Sequence, residues 1–425
     1  FGAQVVSIVL ALAGSVIVAR TLGPNGKGVL AVFGLVLQTA AAFGTFGTAF
    51  ALTFLAGKRR HRPAQLFGAS LVLAGLLWLP AAALAAVVED WALATALTGL
   101  SPEAYRLAVA LVGPAYAVLL FQAILLGEGR VERVALISTE SAAVTTAILL
   151  WALIVADRGL DGAIAASAAG TVYAMVRLGA VLARAHGIGF ADTRAILRFA
   201  VPFGLKGYVG SLASHAWLRA DVYLLNALAG PAAVGQYSIA TNMAERIWML
   251  EGAIVQSAAP EVIRRDHDRA AELTGRVARH LLVLSVLAAA ALAAVSPWIV
   301  PLFFGEAFRP AIVPLLILLP GVVALSVARV FSGYYSGQLG RPSTVSLVAG
   351  VTALIALGLY VLVIPRWGLN GAAIASTAAY AVPLAIYLFI VPRATGIPVA
   401  RLLVLSGGDV RELVARTRRL FHPSG

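Results

Sequence analysis

The sequence predicts an all-α integral membrane protein, with about twelve transmembrane helices arranged as two parallel six-helix repeats. Three observations predict it. Hydrophobic residues make up 60% of the 425 and charged residues 12%, with a mean hydropathy of +0.91. A soluble domain carries about 45–50% apolar and about 25% charged residues. The apolar residues fall into runs near the ~20 needed to cross a bilayer. Three short motifs then recur in the same order at nearly one spacing.

The spans run as follows. The first, 2–19, belongs to a stretch without charge over the first 19 residues. It reads as a true span rather than a cleaved signal, because it has no basic leader and no cleavage site followed by a soluble chain. With Phe1 in place of an initiating Met, the native start is expected upstream. The second span, 28–50, follows GPNGKG at 23–28. A phosphate-binding loop would need G-x-x-x-x-G-K-[ST]. Here Thr21 and Gly28 stand where the first glycine and the hydroxyl residue belong. The segment is therefore a turn, punctuated by Gly, Pro and Asn-Gly. Spans at 64–88, 104–126, 134–156 and 162–183 complete the first half. The second half holds 200–228, 235–257, 277–300, 312–335, 343–364 and 371–391. The expected division is an N-terminal half 1–184, a linker 185–199, a C-terminal half 200–391 and a tail 392–425.

The repeats justify the two halves. GPNGKG (23–28) returns as GPAAVG (230–235), GRVERVALI (129–137) as GRPSTVSLV (340–348), and GLDGAIAAS (159–167) as GLNGAAIAS (368–376). The offsets are 207, 211 and 209 residues. Six spans per half is an even number, so both halves enter the membrane in the same sense. Parallel repeats of this kind are related by an axis along the membrane normal, with the substrate site between them.

Orientation follows from Lys and Arg. The loops at 57–63, 127–133, 184–198, 260–280 and 336–342, with the tail, carry 21 basic residues. The opposite loops carry 6. This bias puts the first set and both termini in the cytoplasm. In the tail, Asp409 and Glu412 make a capping-box-like start. Val410, Leu413, Val414, Thr417, Leu420 and Phe421 line one face, with Arg411, Arg416, Arg418 and Arg419 off that stripe. A basic amphipathic helix on the anionic leaflet is expected.

Function is sought in the charges that the spans carry. The basic ones are Arg177, Lys206, Arg219, Arg246 and Arg329, and the acidic ones Glu140, Asp221, Glu245 and Glu251. A charge near mid-bilayer costs about 2.5–3.5 kcal/mol on insertion scales and normally faces a cavity or a partner. The five cations are candidates to bind an anionic substrate; the four acids, with His215, are candidate charge partners or ion-coupling groups. Glu245 and Arg246 sit near the middle of the eighth span, and His215 and Arg219 share a helix face. Arg177 and Arg329 lie near span ends, where snorkelling to the surface is the competing reading. Pro202, Gly204 and Gly207 around Lys206, and Pro320-Gly321, are candidate hinges. Gly113-Pro114 and Pro383 offer further kinks. Gln38, Asn226, Gln236, Tyr237, Asn242 and Gln256 supply polar wall for a glycan or interhelical glue. The chain has no cysteine, hence no disulfide and no thiolate metal site, and its six histidines lack an H-x-x-x-H pair.

Four stretches resemble a known family: ARTLGPNGKG (19–28), RADVYLLNALAGPAAVGQYSIA (219–240), AERIWMLEGAIVQSAAPEVIRR (244–265) and PRWGLNGAAIAS (365–376). The chain resembles the polysaccharide-exporter and lipid-linked oligosaccharide flippase branch of the MOP (multidrug/oligosaccharidyl-lipid/polysaccharide) superfamily, in register with the twelve spans. The resemblance implies a MATE-like fold and no enzymatic activity. It also implies that the protein moves a polyprenyl-diphosphate-linked glycan from the inner to the outer leaflet of the plasma membrane by alternating access. Expected partners are membrane lipids, the lipid-linked glycan and other polysaccharide-assembly proteins, with no nucleic acid. With no ATP site in the sequence, no cofactor is expected, and energy is assigned to an H+ or Na+ gradient or to consumption of product outside. The alternatives are an ion-coupled multidrug extruder of the same superfamily and a membrane glycan polymerase or ligase. An extruder of cationic drugs calls for acidic dominance, whereas the spans hold five basic against four acidic residues. A polymerase calls for converging catalytic groups on a substantial outer loop. The longest outer loop, about 89–103, carries Glu89, Asp90 and Glu103 and no histidine.

Overall fold

A computed structural model describes residues 2–264 and 266–404, so the expected tail helix beyond 404 lies outside the described residues. The described chain is helical from end to end. The helices are α1 (Gly2–Gly44), α2 (Thr48–Gly57), α3 (Pro63–Ala94), α4 (Pro102–Gly127), α5 (Val131–Leu150), α6 (Gly159–His186), α7 (Thr193–Glu245), α8 (Trp248–Arg264), α9 (His267–Phe304), α10 (Ile312–Gly333), α11 (Pro342–Thr395) and α12 (Val399–Leu403). Single π-turns close α5 at Trp151–Val155 and α10 at Tyr334–Gln338.

Among the described residues, eight helices are long and apolar enough to cross a membrane. Three helices are compound. Non-helical glycines interrupt α1 at Gly23, α7 at Gly230 and α11 at Gly368. Divided at these glycines, and with α8 continuing the second segment of α7, the helices provide the twelve crossings expected from the sequence. Local chemistry sets their ends. Pro63 and Pro102 open α3 and α4 at a position whose N–H would be unsatisfied anyway, and Ser101 Oγ accepts the Ala104 N–H at 3.2 Å. Leu76, Leu79, Leu84, Val87 and Trp91 of α3 point outward, the arrangement that hydrocarbon rewards and water penalises.

The described chain divides into two compact units. The first comprises residues 1–238 with 300–309, and the second 239–299 with 310–425. These units are not the sequence repeats, because the start of α7 belongs with α1. Tyr208 Oη donates to the Ala42 carbonyl at 2.9 Å, and Tyr223 Oη to Leu35 at 3.3 Å. Residues 300–309 join the first unit through side chains too. Arg20 donates to the Leu302 and Phe303 carbonyls, and Gln236 Nε2 to Ala307 at 3.3 Å.

In the first unit the core packs Leu66 and Phe67 of α3, Leu120, Phe121 and Ile124 of α4, and Leu178 and Leu182 of α6. A second cluster joins Val18, Leu149, Leu153, Ala163 and Ala166. In the second unit α10 is buried along most of its length against α11, with Phe331, Tyr335 and Tyr387 in ring contact.

Candidate functional site

The repeated motifs share one backbone device. The leading glycine of each copy is in the left-handed region: Gly23 and Gly230 at φ 63° and 75°, Gly129 and Gly340 at 78° and 60°, Gly159 and Gly368 at 53° and 51°. Any side chain is strained there, which is why glycine stands first in all six. The GPxxxG pair adds a second device within the first unit. A Cβ at Gly28 would strike the Pro231 carbonyl, and one at Gly235 would strike the Pro24 carbonyl. The last glycine of each motif thus makes room for the proline carbonyl of the other. GPNGKG is therefore a turn that docks reciprocally on its own repeat.

Within that turn lies Lys27. Lys27 Nζ donates to Ser15 Oγ at 2.9 Å, joining the two segments of α1 across the Gly23 break. The signal was a lone lysine one turn beyond a Gly-Pro, facing a serine inside an otherwise apolar span.

In the first unit the intramembrane charges whose side chains are described have partners. Arg177 grips Glu140 with both arms, Nε to Oε2 at 2.9 Å and Nη2 to Oε1 at 3.1 Å. Tyr173 Oη donates to the same Oε2 at 3.0 Å. Arg177 is thus an α5–α6 tie, and neither the snorkelling nor the substrate reading is needed for it. Asp221 is 1% exposed, and Tyr237 Oη donates to its Oδ2 at 2.6 Å. Tyr237 is wholly buried there. Arg219 is half-buried and donates to the Leu218 carbonyl at 3.3 Å. His215 Nε2 lies 3.2 Å from the Thr39 hydroxyl, with the Phe43 ring edge-on at 5.8 Å. Asn226 is buried and ties the 96–98 turn, donating to the Ala96 and Thr98 carbonyls at 2.9 and 3.2 Å. Lys206 lies on α7 and Gln256 on α8, each with its side chain outside the described residues.

The hinge candidates sit in continuous helix. α7 runs unbroken through Pro202, Gly204 and Gly207, and α10 through Pro320 and Gly321. Gly204 serves close packing, since a Cβ would meet the Phe46 carbonyl and the Gly47 backbone. Gly321 does the same against the Thr377 backbone.

The eighth span departs from its expected continuity. A turn at 246–247 separates α7 from α8, so Glu245 ends one helix and Arg246 stands in the break. Ile247 N–H still donates to Ala244 at 3.1 Å and Met249 N–H to Arg246 at 3.1 Å, which closes the turn. Arg246 is exposed, and among the described residues its guanidinium has no hydrogen bond or ion pair.

Two residues downstream, the second unit repeats the pairing logic. Arg329 Nη1 lies 3.1 Å from Glu251 Oε2, and its guanidinium lies 4.2 Å from the centroid of the Trp248 ring. Trp248 in turn donates Nε1–H to the Val322 carbonyl at 3.2 Å. The sequence held both ends of this pair but missed Trp248, whose signal was its place three residues before Glu251 on one helix face.

Arg177 and Arg329 are engaged by carboxylates, whereas Arg246 has no carboxylate partner among the described residues.

The family profile described as "Polysaccharide biosynthesis protein" matches residues 1–263. No curated protein matches the chain in sequence. Among solved structures, the lipid II flippase MurJ in an inward closed conformation aligns with a TM-score of 0.77 and 13% identity, over 97% of this chain and 91% of its own. An inward-facing multidrug resistance MATE family transporter of the MOP superfamily gives 0.73 and 18%, over 92% and 94%. A MOP superfamily transporter from Pyrococcus furiosus, noted for the reverse polarity of its binding pocket, gives 0.62 and 18%, over 94% and 93%. At such identities these likenesses establish a shared fold. On this fold and this family match, the chain is a multi-pass membrane protein with the MOP-superfamily architecture and belongs to the polysaccharide biosynthesis protein family.

Proposed function

We propose that the protein is a flippase. It carries a polyprenyl-diphosphate-linked oligosaccharide from the cytoplasmic to the outer leaflet of the plasma membrane, with both termini in the cytoplasm. The observation that carries this reading is Arg246, an unpartnered guanidinium at a helix break in an apolar span. A diphosphate is the ligand that such a fork recognises, through two charge-assisted N–H donors to two oxygens. The polyprenyl chain stays in lipid, and the glycan crosses among polar side chains. Membership in a polysaccharide biosynthesis family and the likeness to a lipid II flippase favour a lipid-linked glycan over a free solute.

Transport follows as alternating access. The headgroup meets Arg246 from the inner side, the halves rock, and the site opens outward. Lys206 and Arg219 are the further candidate contacts in the second half's first span. The role is transport and not catalysis, driven by an H+ or Na+ gradient or by consumption of product outside. Other polysaccharide-assembly proteins supply and receive the cargo.

The test is binding, read by native mass spectrometry of the purified chain with a polyprenyl-diphosphate sugar and a cationic dye as competitor. Saturable lipid binding, weakened at least tenfold by Arg246→Ala and indifferent to dye, is expected. Dye binding without lipid preference would overturn the reading and favour a multidrug extruder.

A further inference from the structure

A cluster of basic residues lies away from the spans, in the first unit. Three loops of the basic set meet there around a cavity of about 900 Å³. Arg59, Arg60, Arg62, Arg130, His61 and His186 line it. That volume falls within the ~300–1,000 Å³ of ordinary ligand sites.

The loops are fixed by backbone contacts. A Cβ at Gly127 would meet the Thr53 carbonyl at 2.5 Å and the Ala56 side chain at 2.7 Å, so the ends of α2 and α4 touch through bare glycine. Gly189 N–H donates to the Ala64 carbonyl at 3.0 Å, tying the α6–α7 loop to the start of α3. Arg59, at φ 52°, turns the chain so that residues 59–62 face the cavity rim.

The charges inside are unbalanced. The wall carries two carboxylates, and both are engaged. Glu128 Oε2 lies 3.4 Å from Arg130 Nη1, and its Oε1 lies 3.0 Å from His186 Nε2, an ion-pair distance with the atoms misaligned for a hydrogen bond. Asp192 Oδ2 accepts from Gln65 Nε2 at 3.1 Å and lies 3.9 Å from His61 Nδ1. Among the described residues, Arg59, Arg60 and Arg62 have no carboxylate at ion-pair distance, although Arg60 lies 5.5 Å from the centroid of the Phe54 ring. Three guanidiniums thus line one cavity with no carboxylate at ion-pair distance among the described residues.

We propose that this cavity binds a phosphate group, held by Arg59 and Arg62 with Arg130 behind them. Guanidinium forks match phosphate oxygens bidentately, and basic pockets among transmembrane helices take phospholipid headgroups. The phosphate has two sources, an anionic lipid headgroup or a soluble phosphate, and they present the same chemistry to the arginines. The site is separate from Arg246 and does not depend on what is transported.

The full chain is placed in phosphatidylcholine nanodiscs and titrated calorimetrically with inorganic pyrophosphate. In parallel, detergent-solubilised chain is incubated with cardiolipin and examined by native mass spectrometry. Saturable binding in the first experiment assigns a soluble phosphate, and in the second a headgroup. In either case the Arg59→Gln/Arg62→Gln variant should bind at least tenfold more weakly. Arg59→Lys/Arg62→Lys should fall between, because it keeps the charge and loses the fork. Both variants change exposed side chains, so their unfolding midpoints should match the parent's. The proposal is overturned if neither ligand saturates, or if the glutamine variant binds as the parent does.

Discussion

Removing Arg329 should destabilise the second unit far more than its single ion pair suggests. Glu251 is 8% exposed, and its Oε2 lies 3.1 Å from Arg329 Nη1. At that distance and an effective dielectric of about 20, the attraction is about 5 kcal/mol. Desolvation of both ions offsets most of it, so the intact pair contributes little net stability. Breaking it is another matter, because Arg329→Met leaves a buried carboxylate with no cation and costs about 3–5 kcal/mol. The guanidinium's stacking on Trp248 accounts for about 0.5–2 kcal/mol of that change. Neutralising both partners, as Glu251→Gln/Arg329→Met, should restore most of the loss, since no unpaired charge remains. The assay is a double-mutant cycle on unfolding midpoints in mixed dodecyl sulfate micelles. A single variant as stable as the parent, or a double variant no better than the sum of the singles, would refute the reasoning.

Gly28→Val and Gly235→Val should each lose about 1–3 kcal/mol by overpacking against the other motif's carbonyl. Gly34→Ala, where a Cβ meets nothing within 4 Å, should gain about 0.4–1 kcal/mol; equal unfolding midpoints for all three would deny the reciprocal packing. Tyr237→Phe, which strips the 2.6 Å hydrogen bond from buried Asp221, should cost about 1.5–3 kcal/mol in the same micelle titration. Gly204→Ala should destabilise through its clash with the Phe46–Gly47 backbone, whereas Pro202→Ala should not, which thermal unfolding of the two variants will distinguish.

The fold was legible because a bilayer simplifies the problem. Runs of about 20 apolar residues must be helices there, as no other open structure satisfies its own backbone. The three repeated motifs were legible through their glycines, since left-handed φ at Gly23, Gly129 and Gly159 admits no other residue without strain, and the constraint recurs in the second copies. What escaped were features set by tertiary neighbours. Nothing local distinguishes Arg177, tied to Glu140 across two helices, from Arg246, which has no such partner. Pro202 reads as a hinge in isolation, but α7 runs through it, and the unexpected interruption falls at 246–247. The boundary between compact units likewise depends on Tyr208, Tyr223 and Arg20 reaching distant carbonyls, which no motif announces.

The central claim is that Arg246 engages the diphosphate of a lipid-linked glycan during its passage. The most direct test reconstitutes the chain in proteoliposomes and follows a fluorescent polyprenyl-diphosphate sugar from one leaflet to the other. Parent protein should translocate the lipid, Arg246→Ala should slow it at least tenfold, and Arg246→Lys should lie between. Translocation by Arg246→Ala at the parental rate would contradict the account.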